Sequence, residues 1–314
     1  MEYTLSKRAK PCLALGWLAV TGVLLSGCAG LYFHTVEGPT VPIRHTLADW
    51  PTPEYWTGLI FNGEKIGFTH LTVIPPHNPD GLFEIQTEAL LRFTVLGFEK
   101  QVTLTARDWI TADLRLVRFV YDYNRDGRGL ALRGRVEGDR LVVERVRRGN
   151  PGNDDERSRN TTEEVVLSEP VYPASVIALY PTIHGLQVGQ AYSYLVYDGQ
   201  RQDLARVTQE IQAYQESELY DGRAFEVETS MDGQDSTLWI NAHGEPVLEM
   251  AFHGILISTL EGERIAMGYL ARASLNKQET VLDYSRIRIN VAIASPRDVA
   301  RMHIHVGGMP DGFV

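Results

Sequence analysis

Thiols are scarce in this chain. Its 314 residues contain two cysteines, Cys12 and Cys28, and both lie close to the N-terminus, so no cysteine framework spans the body of the protein. Familiar catalytic signatures are also missing. There is no Gly-x-Ser-x-Gly elbow, no His-Glu-x-x-His and no Gly-x-Gly-x-x-Gly opening a helix. The stretch from Gly58 to Gly63 has the glycine spacing of a phosphate loop, but Glu64 stands where the lysine belongs. A carboxylate pair for glycoside cleavage need not be close in sequence, and nothing here singles one out. Positive charge is short as well: 30 Lys and Arg against 40 Asp and Glu leave a formal charge of −10. That balance argues against nucleic acid as a partner, and against adhesion to anionic lipid through bulk charge.

The N-terminus carries what little apolar sequence runs unbroken. Lys7, Arg8 and Lys10 precede an apolar run from Cys12 to Leu25, which is too short for a stop-transfer helix and has the form of a secretory signal. The run closes on Leu25-Ser26-Gly27-Cys28. This tetrad resembles the bacterial lipobox, in which the cysteine thiol is alkylated by diacylglycerol before cleavage. The resemblance implies that Cys28 is the lipid attachment site and the new N-terminus, and that residues 1–27 are discarded. Ala29, a non-acidic residue after the cysteine, implies sorting to the periplasmic side of the outer membrane. Several acyl chains are needed for a lasting anchor, because one binds only marginally. Removing a signal segment of net charge +2 leaves a body of −12. That body has no free thiol.

Residues 28–53 contain Pro39, Pro42, Pro51 and Pro53 and no apolar period, and read as a tether. Residues 54–273 read as an antiparallel β meander. Phe83, Ile85, Thr87, Ala89, Leu91, Phe93 and Val95 alternate with Glu84, Gln86, Glu88 and Arg92, the mark of a strand with one wet face. Turn pairs such as Asn62-Gly63, Asp126-Gly127 and Asp232-Gly233 punctuate the pattern. One short helix is expected over residues 174–180, closed by Pro181. Residues 274–314 read as a C-terminal β arm. The predicted class is all-β: a large curved antiparallel sheet or open half-barrel of hairpins.

Few side chains stand out as ligands. Asp122-Tyr-Asn124-Arg-Asp126-Gly127 fits half of a calcium loop, but the twelfth position is Arg133, so the segment reads as a hairpin turn. His303 and His305 alternate with Met302, Ile304 and Val306 without a third donor nearby. Neither is taken as a metal site, and no cofactor is expected. The ten arginines between Arg125 and Arg159 read as a solvated hairpin face. Trp56, Phe61, Phe68, Phe83, Phe93, Phe98, Phe119, Tyr121, Phe225, Trp239 and Phe252 are assigned mainly to the core. In a sheet that curls without closing, they would line a concave face able to take an acyl chain.

Two wider resemblances follow. The succession of hairpins from Glu54 to Arg272 on a lipobox looks like the periplasmic lipoprotein-carrier fold of the LolA/LolB type. Tyr284-Ser285-Arg286-Ile287, Ile293-Ala294-Ser295-Pro296-Arg297-Asp298-Val299 and His303-Ile304-His305-Val306-Gly307 resemble the β segment that precedes the catalytic domain of some bacterial transglutaminase-like proteins. Those enzymes use a Cys nucleophile with His and Asp partners, and the body here has no such cysteine. The resemblance therefore implies a non-catalytic accessory region, with the catalytic domain absent or encoded separately. The expectation is a non-enzymatic, lipid-anchored periplasmic binding or scaffold protein whose partners are the membrane, through Cys28, and an envelope protein or apolar ligand.

Overall fold

The computed structural model describes residues 32–77, 80–95, 98–148 and 159–273. Residues 1–31, with the expected signal segment and Cys28, and residues 274–314, with His303 and His305, lie outside them. The described chain is a meander in two runs. The first comprises β2 (Glu54–Phe61), β3 (Glu64–Ile74), β4 (Phe83–Val95), β5 (Phe98–Ile110), β6 (Leu116–Arg125), β7 (Arg128–Glu137), β8 (Arg140–Arg148) and β9 (Arg159–Val166). The second comprises β10 (Val171–Pro173), β11 (Ala191–Asp198), β12 (Asp203–Ser217), β13 (Arg223–Met231), β14 (Gln234–Asn241), β15 (Pro246–Ala251) and β16 (Leu256–Glu261). Tight turns form where the turn pairs predict them. Asn62-Gly63, Asp126-Gly127 and Asp232-Gly233 all have positive φ at both positions, the twist that matches two right-handed strands joined by a two-residue loop.

The two runs make one sheet because β16 pairs antiparallel with β2, Leu256 opposite Phe61 and Glu261 opposite Trp56. The strand order is therefore β10 through β16 and then β2 through β9. Every neighbouring pair along it is antiparallel except β10 with β11. An all-β, curved antiparallel sheet is what the sequence predicted. The sheet rolls until β6 of the first run meets β11 of the second: Phe119 stacks on Tyr197, ring centroids 4.8 Å apart. Gly199, just after β11, sits so close to Tyr121 and Tyr123 that a Cβ there would come within 2.5 Å of one ring and 2.6 Å of the other's hydroxyl.

The connection between β10 and β11 fills one end of the roll. It consists of a 3₁₀ turn, Ala174–Val176, and helix α1, Tyr180–His184. Val176 and Leu179 are fully buried against Ile85, Ile110, Leu114, Tyr194 and Val207. The single helix expected over 174–180 is thus split. Pro181 does not stop it. Proline lacks the N–H that is unsatisfied in any first helical turn, so it falls at the start of α1. A second helix, α2 (Glu263–Ala273), lies against β2 and β3, and Lys65 holds its approach by pairing with Glu261 and donating to the Ile265 carbonyl at 3.3 Å.

The reading of residues 28–53 as a tether is corrected for the part described. β1 (Phe33–Thr35) pairs with β12, Ile43 bridges Leu186, and Leu47 and Trp50 are buried in the main core. Proline denies the stretch a regular element, yet its few apolar side chains find partners. Phe33 stacks on Trp239, 4.6 Å between centroids, and covers the outer face of the second run with Tyr220, Val247 and Leu248.

Candidate functional site

The inner wall of the roll changes character along its length. β4 and β5 pair without a register shift, Phe83 opposite Ile110 and Leu91 opposite Val102, so one alternate set of residues faces inward throughout. At the plugged end this set is sealed: Phe83, Ile85, Asp108 and Ile110 are buried. Towards the hairpin tip the same face is only half-buried, at Ala89, Leu91, Phe93, Val102 and Leu104, and so are Tyr123 of β6 and Leu130 of β7 beside them. The result is a cup with a filled floor and an open apolar wall.

Polar groups mark the floor. Asp108 is 1% exposed, and among the described residues it pairs with no cation. The Tyr121 hydroxyl donates to Oδ1 at 2.6 Å and the Ser175 hydroxyl to Oδ2 at 2.6 Å. Burial pushes its carboxyl up to about 6, against the lowering by those two hydroxyls. Ser175 belongs to the plug and Asp108 to the wall, so this acid latches one to the other. On the opposite wall Gln209 takes a bond from Tyr194 Oη at 2.8 Å and gives bonds to the Ile177 carbonyl at 3.1 Å and to Thr229 at 3.3 Å. Glu249, raised by burial and held by Ser236, is a second inward acid. The Ser175 hydroxyl is given to Asp108, and among the described residues no imidazole is bonded to it. Among the described residues, no group of three or more His, Cys, Asp or Glu is placed to hold a metal ion.

Where β8 crosses the wall, two donors have nothing to bond. Nε of Arg145 and the hydroxyl of Tyr197 are buried without a hydrogen-bond partner among the described residues. An unpartnered buried donor costs about 1–3 kcal/mol. The groups are neighbours: the Arg145 charge opposes the burial that pushes the Tyr197 phenol up to about 12. Arg145 stands opposite Leu132, which is fully buried, and Arg147 opposite Leu130. The sequence placed all of the arginines on a solvated face. That holds for Arg135 and Arg140, exposed and paired with Glu137 and Glu164, but Arg145 turns inward and keeps only a bond to Glu163 at 3.2 Å. A phase of two links Leu141, Val143 and Arg145, and could have shown this, but Val142 and Val146 obscure it by making both faces apolar.

The other predicted sites resolve simply. Asp126 and Gly127 form the β6–β7 turn. The Asp126 carboxylate accepts from the Gln101 amide at 3.0 Å and from Lys100 at 2.9 Å, and Asn124 accepts from the Gly127 amide at 3.0 Å. The Asp126 and Asn124 oxygens of the half calcium loop are thus committed to the hairpin. Of the aromatics, Phe68, Phe83, Phe119, Tyr121, Phe225 and Trp239 are buried, while Phe252 is exposed.

No protein-family model matches the chain, and no curated protein does. Among solved structures it is similar to a β-barrel-like protein of domain of unknown function DUF1849 from Brucella abortus, with a TM-score of 0.47 and 10% identity over 71% of this chain and 97% of that one. It is also similar to a DUF1089 family protein from Pseudomonas aeruginosa, with a TM-score of 0.30 and 13% identity over 68% of this chain and 95% of the other.

Proposed function

We propose that this is an exported, lipid-anchored binding protein that holds an acyl chain, or a ligand of similar apolarity, on the open inner wall of its rolled sheet. The observation that carries the reading is the half-buried row Ala89, Leu91, Phe93, Val102 and Leu104, on the same face as the sealed Phe83, Ile85 and Ile110. A sheet with no ligand to accommodate gains by covering such a row, since each buried Å² of apolar surface is worth about 25 cal/mol. The plugged floor keeps the wall in shape and acts as scaffold. The protein works without catalysis, at the periplasmic side of the outer membrane, where Cys28 fixes it. Cys28→Ala tests both halves of the reading. The variant is expected to leave the membrane fraction, and an organic extract of the released, purified protein is expected to contain acyl chains near one equivalent. Persistent membrane fractionation would remove the anchor, and an extract without apolar cargo would remove the binding role.

A further inference from the structure

Resting on that reading, we infer that the cup takes a ligand with a carboxylate head, and that Arg145 and Tyr197 are the residues that hold it. Both offer a buried donor with no partner among the described residues, an Nε–H and an O–H, and Tyr197 packs in the buried cluster against which half-buried Tyr123 and Leu130 lie. Two buried donors, one of them charged and near enough for its charge to act on the other, suit an acceptor with two oxygens on one carbon. The remaining groups fit the assignment. Of the acids that act on Tyr197 besides Glu163, Asp198 accepts from the amides of Gln200 and Arg201 at 2.8 and 3.2 Å, and Asp203 from the amide of Leu204 at 2.8 Å. Glu163 binds Arg145 through Nη2 from an exposed position and leaves Nε free. Arg147, two residues on and opposite half-buried Leu130, is exposed and adds positive charge nearby. From this anchor the chain of the ligand lies along Leu130, Leu104, Val102 and Leu91, which neighbouring strands place side by side.

The test is titration calorimetry of the protein without residues 1–28, using laurate and 1-dodecanol, two probes that share a chain and differ in the head. The wild type is expected to prefer laurate by tenfold or more. Tyr197→Phe and Arg145→Met are each expected to weaken laurate by about tenfold and leave dodecanol unchanged, since a charge-assisted bond is lost in each case. Tyr197→Phe removes a hydroxyl that makes no bond in the protein, so its thermal midpoint should equal or exceed the wild type's, a result a merely structural role would not give. If both probes bind the wild type equally, or Tyr197→Phe binds laurate unchanged, the head-group assignment is wrong while the cup reading stands. Failure of the wild type to bind either probe overturns both.

Discussion

At the scale of single residues, Asp108 is the most informative. Its oxygens each accept one hydroxyl, and burial outweighs both, so the folded protein holds the proton up to about pH 6 against an ordinary value of 3.8. A carboxyl raised on folding stabilises the native state while it is protonated. That contribution is complete below about pH 4 and is lost as the pH rises through about 6. At 1.36 kcal/mol per unit the loss amounts to roughly 3 kcal/mol. Asp108→Asn cannot ionise, so its urea unfolding free energy should lack this fall between pH 4 and 7. Because Glu249 is raised too, the quantity to compare is the difference between the two proteins' slopes. Equal slopes would mean that Asp108 is not the buried acid described.

At the scale of elements, the proline-rich entry segment and the β10–β11 connection decide whether the sheet keeps its roll. Neither was legible in full. The entry segment has no period to read, and its contacts reach from Phe33 to Trp239 and from Ile43 to Leu186, separations that local sequence does not encode. The connection reads as a helical interruption, but the sequence puts Pro181 at its end, whereas it stands at the start of α1. Phe33→Ala tests whether the entry segment belongs to the fold. Removing a half-buried ring stacked on Trp239 should lower stability by about 2 kcal/mol, read as a lower urea midpoint with an unchanged slope. A midpoint within error of the wild type would return residues 28–53 to the status of tether.

At the scale of the whole molecule, period-two alternation made the first run readable. Phe83 to Val95 obeys it without a bulge against either neighbour, so face, register and class follow from the residues alone. The closure of β16 on β2 joins strands about two hundred residues apart, and no turn signal announces a pairing of that range. The sequence offers the aromatics as the lining of a concave face if the sheet curls without closing, whereas the half-buried residues of the inner face are mostly aliphatic and Arg145 hides among solvated arginines. Val102 and Thr103 give the most direct test of the wall, because these adjacent residues of β5 face opposite sides of the sheet. Acyl chain retained per molecule should be measured for Val102→Asp and Thr103→Asp in protein shown to be folded by its circular dichroism. The predicted result is loss of cargo from Val102→Asp and retention near the wild-type level by Thr103→Asp; full retention by Val102→Asp would contradict an inner binding wall.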